Sequence, residues 1–358
     1  MARIDSFLRL VAEQSASDLH FSAGRPPTIR HHGDLTALPY RSLTRQETER
    51  FLFEPLTEAQ RATLVRTQEL DYVYVLPDVA RFRVNLFVQQ HGYGAVFRII
   101  PKRLPTLDEL LVPQQVRRLA DLQNGLVLVC GPTGSGKTTT LSALVAQINT
   151  SSARHIITVE DPIEFVHASA KSVVTQRQVG DHVPSFAAAL RSALRESPDV
   201  LVVGEMRDPE TISLALQAAE TGVLVLGTLH TNSAAKAVDR IIDAMPESAT
   251  EQARGVLAVL LRAVVCQQLC KKANADGLVA VHEVLLQNFA VSSMIREGKV
   301  HQLDSYLQTA SHDGSGNQSL DACLLRVVQQ GLVEPAEALK VAHAPDALRK
   351  LLDGVAPE

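Results

Sequence analysis

The chain has 358 residues, of which 46% are hydrophobic and 21% charged. That composition excludes a disordered or fibrous chain, and the length predicts two domains. Lys and Arg number 35 against 39 Asp and Glu, a net charge of −4, so no large positive charge is on offer to nucleic acid. The four cysteines, Cys130, Cys266, Cys270 and Cys323, are too few for a disulfide framework in a chain this long. They read as thiols of a reducing compartment.

Taken in chain order, residues 1–10 hold Arg3, Asp5 and Arg9 and lack the apolar core of a signal peptide. Apolar spacing at Ile4, Phe7, Leu8 and Val11 predicts a helix over 4–13. Short strands are expected at 18–22 and 28–30, around Gly24–Pro27. Two helices, each opened by a threonine cap, are expected over 44–53 and 57–67. Runs rich in Val, Phe and Tyr at 69–76, 81–89 and 93–100 read as strands, with Pro77-Asp78 and His91-Gly92 at the turns. Residues 1–100 thus predict an α+β module with a mostly antiparallel sheet. This module is free of lysine and carries 12 Arg against 11 acids, leaving −5 for the remainder. Arginine is the better bidentate phosphate ligand, although GC-rich coding also raises its count.

The stretch Pro101-Lys102-Arg103-Leu104-Pro105 breaks both patterns, and a linker is expected over 101–113. Beyond it, apolar runs at 127–130, 156–159, 200–203 and 223–226 alternate with helical stretches such as 185–196 and 209–220. That is the grammar of βαβ units around a buried parallel sheet. From about 286 the chain reads as helical to its end, with a polar break at 312–317. The longest apolar stretch, 256–266, is interrupted by Arg262 and falls far short of the ~20 residues of a membrane span. A cytoplasmic protein is expected, meeting a membrane only through a partner.

Gly131-Pro132-Thr133-Gly134-Ser135-Gly136-Lys137-Thr138 fits GxxxxGK[ST] between a strand and a helix. Glycines let backbone N–H groups curl around phosphate oxygens, Lys137 reaches the β/γ oxygens, and the Thr138 hydroxyl holds Mg²⁺. A second acidic element is needed to place the attacking water, and the run 199–205 ends an apolar strand in Glu205. A third run, 157–164, ends in Glu160, Asp161 and Glu164, three carboxylates that repel one another unless cations share the site. A fourth, 227–232, presents His230 beside Thr231 and Asn232, where it can sense the γ-phosphate or donate to Glu205.

Together these elements resemble the secretion ATPase superfamily of type II secretion and type IV pili, and within it the PilT-type retraction motors. The resemblance covers nearly the whole chain. It includes Ala16-Ser17-Asp18-Leu19-His20, Gly24-Arg25-Pro26-Pro27 and Gly33-Asp34, then Arg81-Phe82-Arg83-Val84-Asn85 and Ala95-Val96-Phe97-Arg98. The P-loop matches its Walker A, residues 160–164 its Asp box, 199–208 its Walker B and 221–233 its His box. The resemblance implies a PAS-like domain at 1–100 and a RecA-like P-loop ATPase domain with C-terminal helices at 114–358, assembled as a homo-hexamer. It implies nucleotide between the two domains of a subunit, with Arg81, Arg83 and Arg98 reaching the phosphates. Glu205 is then the catalytic carboxylate, Glu164 the Asp-box acid and His230 a His-box histidine. Thr133, Gly134, Ser135, Gly136, Lys137, Thr138, Thr139, Glu160 and Asp161 would hold ATP or ADP. Mg²⁺ would sit on Thr138 and, through water, on Glu205. The implied partner is an inner-membrane pilus platform protein.

Two departures stand out. The family's His box begins Thr-Gly-His, whereas this chain reads Thr221-Gly222-Val223. The loss predicts slower turnover or weaker coupling, since an apolar side chain cannot hydrogen-bond across the site. The retraction motors' Ala-Ile-Arg-Asn-Leu-Ile-Arg-Glu element appears as 290–297 with Ser292-Ser293 in place of Arg-Asn. Cys266 and Cys270 lack the second pair of a zinc element and read as core thiols. The expected function is an Mg-ATP-driven retraction motor. Alternatives are an extension, secretion or PilU-like accessory ATPase, a nucleotide-regulated interaction module with little turnover, and, more remotely, a nucleic-acid translocase.

Overall fold

The computed structural model describes residues 2–31, 34–100, 103–274, 277–311 and 314–353. Gly33 of the family-like opening, Pro101 and Lys102 of the expected linker, and the first two residues of the break at 312–317 lie outside the described residues. The chain divides into two compact units, Met1–Arg103 and Leu104–Glu358.

The first unit runs α1 (Asp5–Glu13), β1 (Asp18–Ser22), β2 (Thr28–His31), β3 (Asp34–Ala37), α2 (Arg45–Phe53), α3 (Glu58–Thr67), β4 (Glu69–Leu76), β5 (Ala80–Gln89) and β6 (Gly92–Ile100). Helices α2 and α3 start where expected. Thr44 and Thr57 each accept from the backbone N–H three residues on, while Glu47 and Gln60 reach back to the cap N–H, two complete capping boxes. The six strands form one sheet in the order β3-β2-β1-β6-β5-β4, with every pairing antiparallel. Strand β3 was not expected, and all four of its residues are exposed, so it has no buried face for an apolar pattern to announce. Alternation decides what each face does. Leu19, Phe21, Phe82, Val84, Leu86, Ala95 and Phe97 join Ile4, Leu8 and Leu52 in the core. Arg83, Arg98, Asp18 and Arg30 stand in register across four adjacent strands.

The second unit runs α4 (Gln114–Arg117), β7 (Gly125–Cys130), α5 (Lys137–Ser151), β8 (His155–Glu160), β9 (Val173–Gln178), α6 (Phe186–Ala193), β10 (Val200–Val203), α7 (Pro209–Glu220), β11 (Leu224–Leu229), α8 (Ala234–Asp243), α9 (Thr250–Leu260), β12 (Leu261–Lys271), β13 (Leu278–Leu286), α10 (Phe289–Arg296), α11 (Leu303–Ala310), α12 (Leu320–Gln329), α13 (Pro335–Val341) and α14 (Pro345–Asp353). Its seven strands take the order β13-β12-β7-β11-β10-β8-β9, parallel throughout except for the β12–β13 pair. Residues of β7 alternate between two cores. Leu126, Leu128 and Cys130 face one, and Val127 and Val129 the other. A strand covered on both faces has no polar side, which is why it reads as an unbroken apolar run.

The expected linker is shorter than its sequence suggests. Leu107 and Val112 are buried in the second unit's core, so the chain is already packed there well before residue 113. The apolar stretch 256–266 is neither one helix nor one strand, because α9 ends at Leu260 and β12 begins at Leu261. Among the described residues, no helix is long and apolar enough to cross a membrane.

Candidate nucleotide site

Strand β7 ends in the middle of its sheet, and the loop that follows is shaped by its glycines. Gly131, Gly134 and Gly136 all take positive φ, the region where a side chain is strained. A Cβ on Gly131 would lie 2.3 Å from the backbone oxygen of Gln267, and one on Gly136 would lie 2.8 Å from the Gln267 amide nitrogen. Helix α5 then opens on Gly136 with no side-chain cap and no acid in its first turn. The neighbouring α7 is different, with Asp208 accepting from Thr211 N–H, Pro209 in the first turn and Glu210 beside it. The positive end of the α5 dipole is therefore left for an outside anion.

Lys137 is buried, and its ammonium donates to the carbonyls of Gly131 at 2.8 Å and Pro132 at 2.9 Å. Burial pushes its pKa down, while the nearby Cys130 and Glu205 work against that shift. Thr138 and Thr139 are half-buried on the first turn, Thr133 and Gly134 are exposed at the loop tip, and the Ser135 hydroxyl is buried without a partner. A loop with glycine cradles, an uncapped helix and an orphaned buried hydroxyl fits a phosphate chain. Thr138 and Glu205 offer hard oxygens of the kind Mg²⁺ takes.

Glu205 is aimed by the backbone around it. Gly204 N–H bonds to Val159 O at 2.8 Å and Met206 N–H to Thr228 O at 3.1 Å, tying the turn after β10 to both neighbouring strands. Leu229 pairs with Cys130, so His230 leaves β11 level with the first residue of the P-loop. Its Nε2 lies 2.7 Å from Glu205 Oε1. Arg207 Nε bonds to the same oxygen, and that contact, with Asp161 nearby, raises the arginine's pKa. The structure thus brings together Lys137, Glu205 and His230, as expected, and adds Arg207, which lay inside the quoted Walker B run without an assigned role.

The expected effect of Val223 changes, and Glu160 has partners that were not expected. Its carboxyl is buried, accepts from Thr158 Oγ1 at 2.6 Å and from Gln176 Nε2 at 3.1 Å, and burial raises its pKa. Both of these donors reach the same oxygen, Oε1, between β8 and β9. Glu164 is half-buried and close enough to Glu160 to help raise that pKa, and Asp161 is exposed.

Val223 is not at the site. It sits just before β11, packed in the core, while His230 lies just after it. Six strand residues separate the two, about 20 Å at the rise of a strand. An apolar side chain there cannot impair hydrogen bonding to the nucleotide.

The cysteines are core thiols, as expected. Cys130 pairs with Cys266 on adjacent strands, and Cys270 joins Cys323 in a separate core. All four are free and buried. The second departure is also structural: Ser292 is buried on α10 and donates to Ala258 O at 2.8 Å, pinning α10 to α9.

Arg81, Arg83 and Arg98 belong to the first unit. Arg98 Nε bonds Asp18 Oδ1 at 2.8 Å, and Arg30 Nε lies 3.9 Å from Asp18 Oδ2. Burial pushes the Asp18 carboxyl up, but bonds from Arg98 and Ser17 outweigh it and leave the group below its ordinary value.

Sheet order, loop and strand-end carboxylate place the chain in the P-loop class of α/β nucleotide-binding proteins. The type II/IV secretion system protein family matches residues 3–338, and the chain belongs to that family. It is 46% identical to a type IV pilus retractation ATPase PilT of Pseudomonas aeruginosa, over 96% of this chain and 99% of that protein. Identity to the type IV pilus ATPase PilU of the same organism is 36%, over 97% of this chain and 91% of that one. A crystal structure of the pilus retraction motor PilT with bound ADP superposes with a TM-score of 0.89 at 39% identity, covering 98% of this chain and 99% of that one.

Proposed function

We propose that this protein is an Mg-ATP-hydrolysing motor for type IV pilus retraction, working as a homo-hexamer that drives an inner-membrane platform protein. The observation that carries the hydrolytic part is Glu205 held by His230 and Arg207 at the strand end beside the P-loop. Phosphoryl transfer to water is mostly positioning and charge stabilisation. The loop and the α5 N-terminus would bind the phosphates, and Lys137 would neutralise charge that builds on them. Glu205 would orient the attacking water and accept its proton, with His230 and Arg207 holding the carboxylate in place. Mg²⁺ on Thr138 and, through water, on Glu205 would supply further charge neutralisation. Arg81, Arg83 and Arg98 are proposed to complete the phosphate contacts, and Asp161 and Glu164 to lie in the second rank of polar groups.

The higher identity to PilT than to PilU supports retraction over an accessory role. Of the departures that pointed to an accessory motor, Val223 packs in a core at the end of β11 away from the P-loop, and in the Ser292-Ser293 pair Ser292 is buried against α9. A deletion strain tests the cellular part. Hyperpiliated, non-twitching cells are expected, and loss of surface pili would overturn retraction. Phosphate release by the purified protein, against a Lys137→Ala control, tests the chemistry, and equal rates would refute it.

A further inference from the structure

We infer that Gln267, 136 residues beyond the start of the P-loop motif, is a positioning residue that holds the loop in its phosphate-binding form. The inference rests on the ATPase reading and adds a residue to it. A loop that turns N–H groups toward an anion turns carbonyls away from it, and buried carbonyls need donors. Gly131 and Pro132 direct theirs to Lys137. The carbonyl of Ser135 takes the Gln267 Nε2 at 2.6 Å. The other end of the same amide accepts from Thr140 Oγ1 at 2.7 Å. Gln267 is only 2% exposed, so neither bond competes with water.

One side chain on β12 therefore braces the end of the loop against the second turn of α5. Its reach is set by register. Cys266 pairs with Cys130, the last residue of β7, so Gln267 comes level with Gly131 where β7 turns into the loop. The two glycines it abuts have no room for a Cβ. Gln267 and the loop thus define one another's shape. A shorter Asn would not span both partners, and an apolar residue would leave Ser135 O and Thr140 Oγ1 buried without partners.

The test is binding of a fluorescent ADP analogue and steady-state ATP hydrolysis by the full chain. Gln267→Leu is expected to raise the Kd for the analogue and the KM for ATP about tenfold, with kcat changed less, because phosphate binding and not water activation is disturbed. Gln267→Glu supplies a readout that packing alone would not move. At pH 8 its carboxylate matches the amide in size but cannot donate to the Ser135 carbonyl, so binding is expected to weaken as in Gln267→Leu, and parent-like binding would overturn the role. Kd and KM of Gln267→Leu within twofold of the parent would overturn the role. If Gln267→Leu does not fold, Thr140→Val is read instead. About threefold weaker binding supports the inference, and unchanged binding overturns it. A parent that binds the analogue no better than Lys137→Ala sinks the ATPase reading and this inference with it. A parent that binds while Gln267→Leu binds equally well sinks the role of Gln267 alone.

Discussion

The two ends of β11 differ in chemistry. At the carboxyl end are His230, Glu205 and the P-loop. At the amino end, Thr221, Gly222 and Val223 line a cavity of about 480 Å³ with Gln123, Arg154 and Asp199. Both ends are polar, yet only one suits a polyphosphate. The cavity's residues 152–154 follow the C-terminus of α5 and 221–223 follow that of α7, so helix carbonyls and the negative ends of two dipoles face it. Its charges are also committed: Arg154 Nη1 donates to Leu122 O, and Asp199 Oδ2 accepts from His155 N–H. At the opposite edge an uncapped helix N-terminus is left open. Strand polarity, more than residue type, sorts the ends.

The comparison breaks first at Glu205. Glu205→Ala is expected to lower kcat by about 10²–10⁴-fold while ADP still binds, as for loss of a general base. Turnover equal to the parent in a phosphate-release assay would move the catalytic carboxylate elsewhere.

The dry sheet behind the loop is tested by acid. His282, opposite Gln267 on β13, is buried with no partner for Nε2, and burial pushes its pKa down to about 4. A depressed histidine pKa means the unfolded chain binds the proton first, so this contribution to stability is present above about 6.5 and is lost as the pH falls toward 4. Between pH 7 and pH 5 the loss is about 2 kcal/mol on the linkage relation. Urea midpoints should show that fall in the parent and a flatter profile in His282→Leu, and parallel profiles would mean the site is wet.

His230→Ala should cost about tenfold in kcat, the size of one charge-assisted hydrogen bond to Glu205. An undiminished rate would leave Arg207 as the carboxylate's only needed support. Val223→His should have the smallest effect, changing ATP turnover less than about twofold, because the added imidazole lies about 20 Å from the hydrolytic end. A several-fold gain in turnover would mean that the two ends are coupled.

Local signals were legible to the extent that local physics made them. The capping boxes at Thr44 and Thr57, the apolar runs of β7, β8 and β10, and the glycine pattern of the loop each depend on a few consecutive residues. Strand β3 escaped notice because it is wholly exposed, and β9 because it is mostly half-buried without alternation. Strands β12 and β13, though largely buried, did so because Arg262, Gln267, Gln268, His282 and Glu283 break their apolar runs. Glu160 could be placed at a strand end from its sequence, but its bond from Gln176 could not, since Gln176 lies on the neighbouring strand β9.

By itself, then, the amino-acid order determined the class of fold, the phosphate loop and the carboxylate strand, since each is a short-range pattern of hydrophobicity, turn residues and charge. Only tertiary structure decided that β11 lies next to β7 and β10 next to β11, which is what brings His230 and Glu205 to the loop. It alone placed Val223 at the far end of the same strand and carried Gln267 beneath Ser135. Sheet order and register join residues more than a hundred positions apart, and no local propensity encodes them.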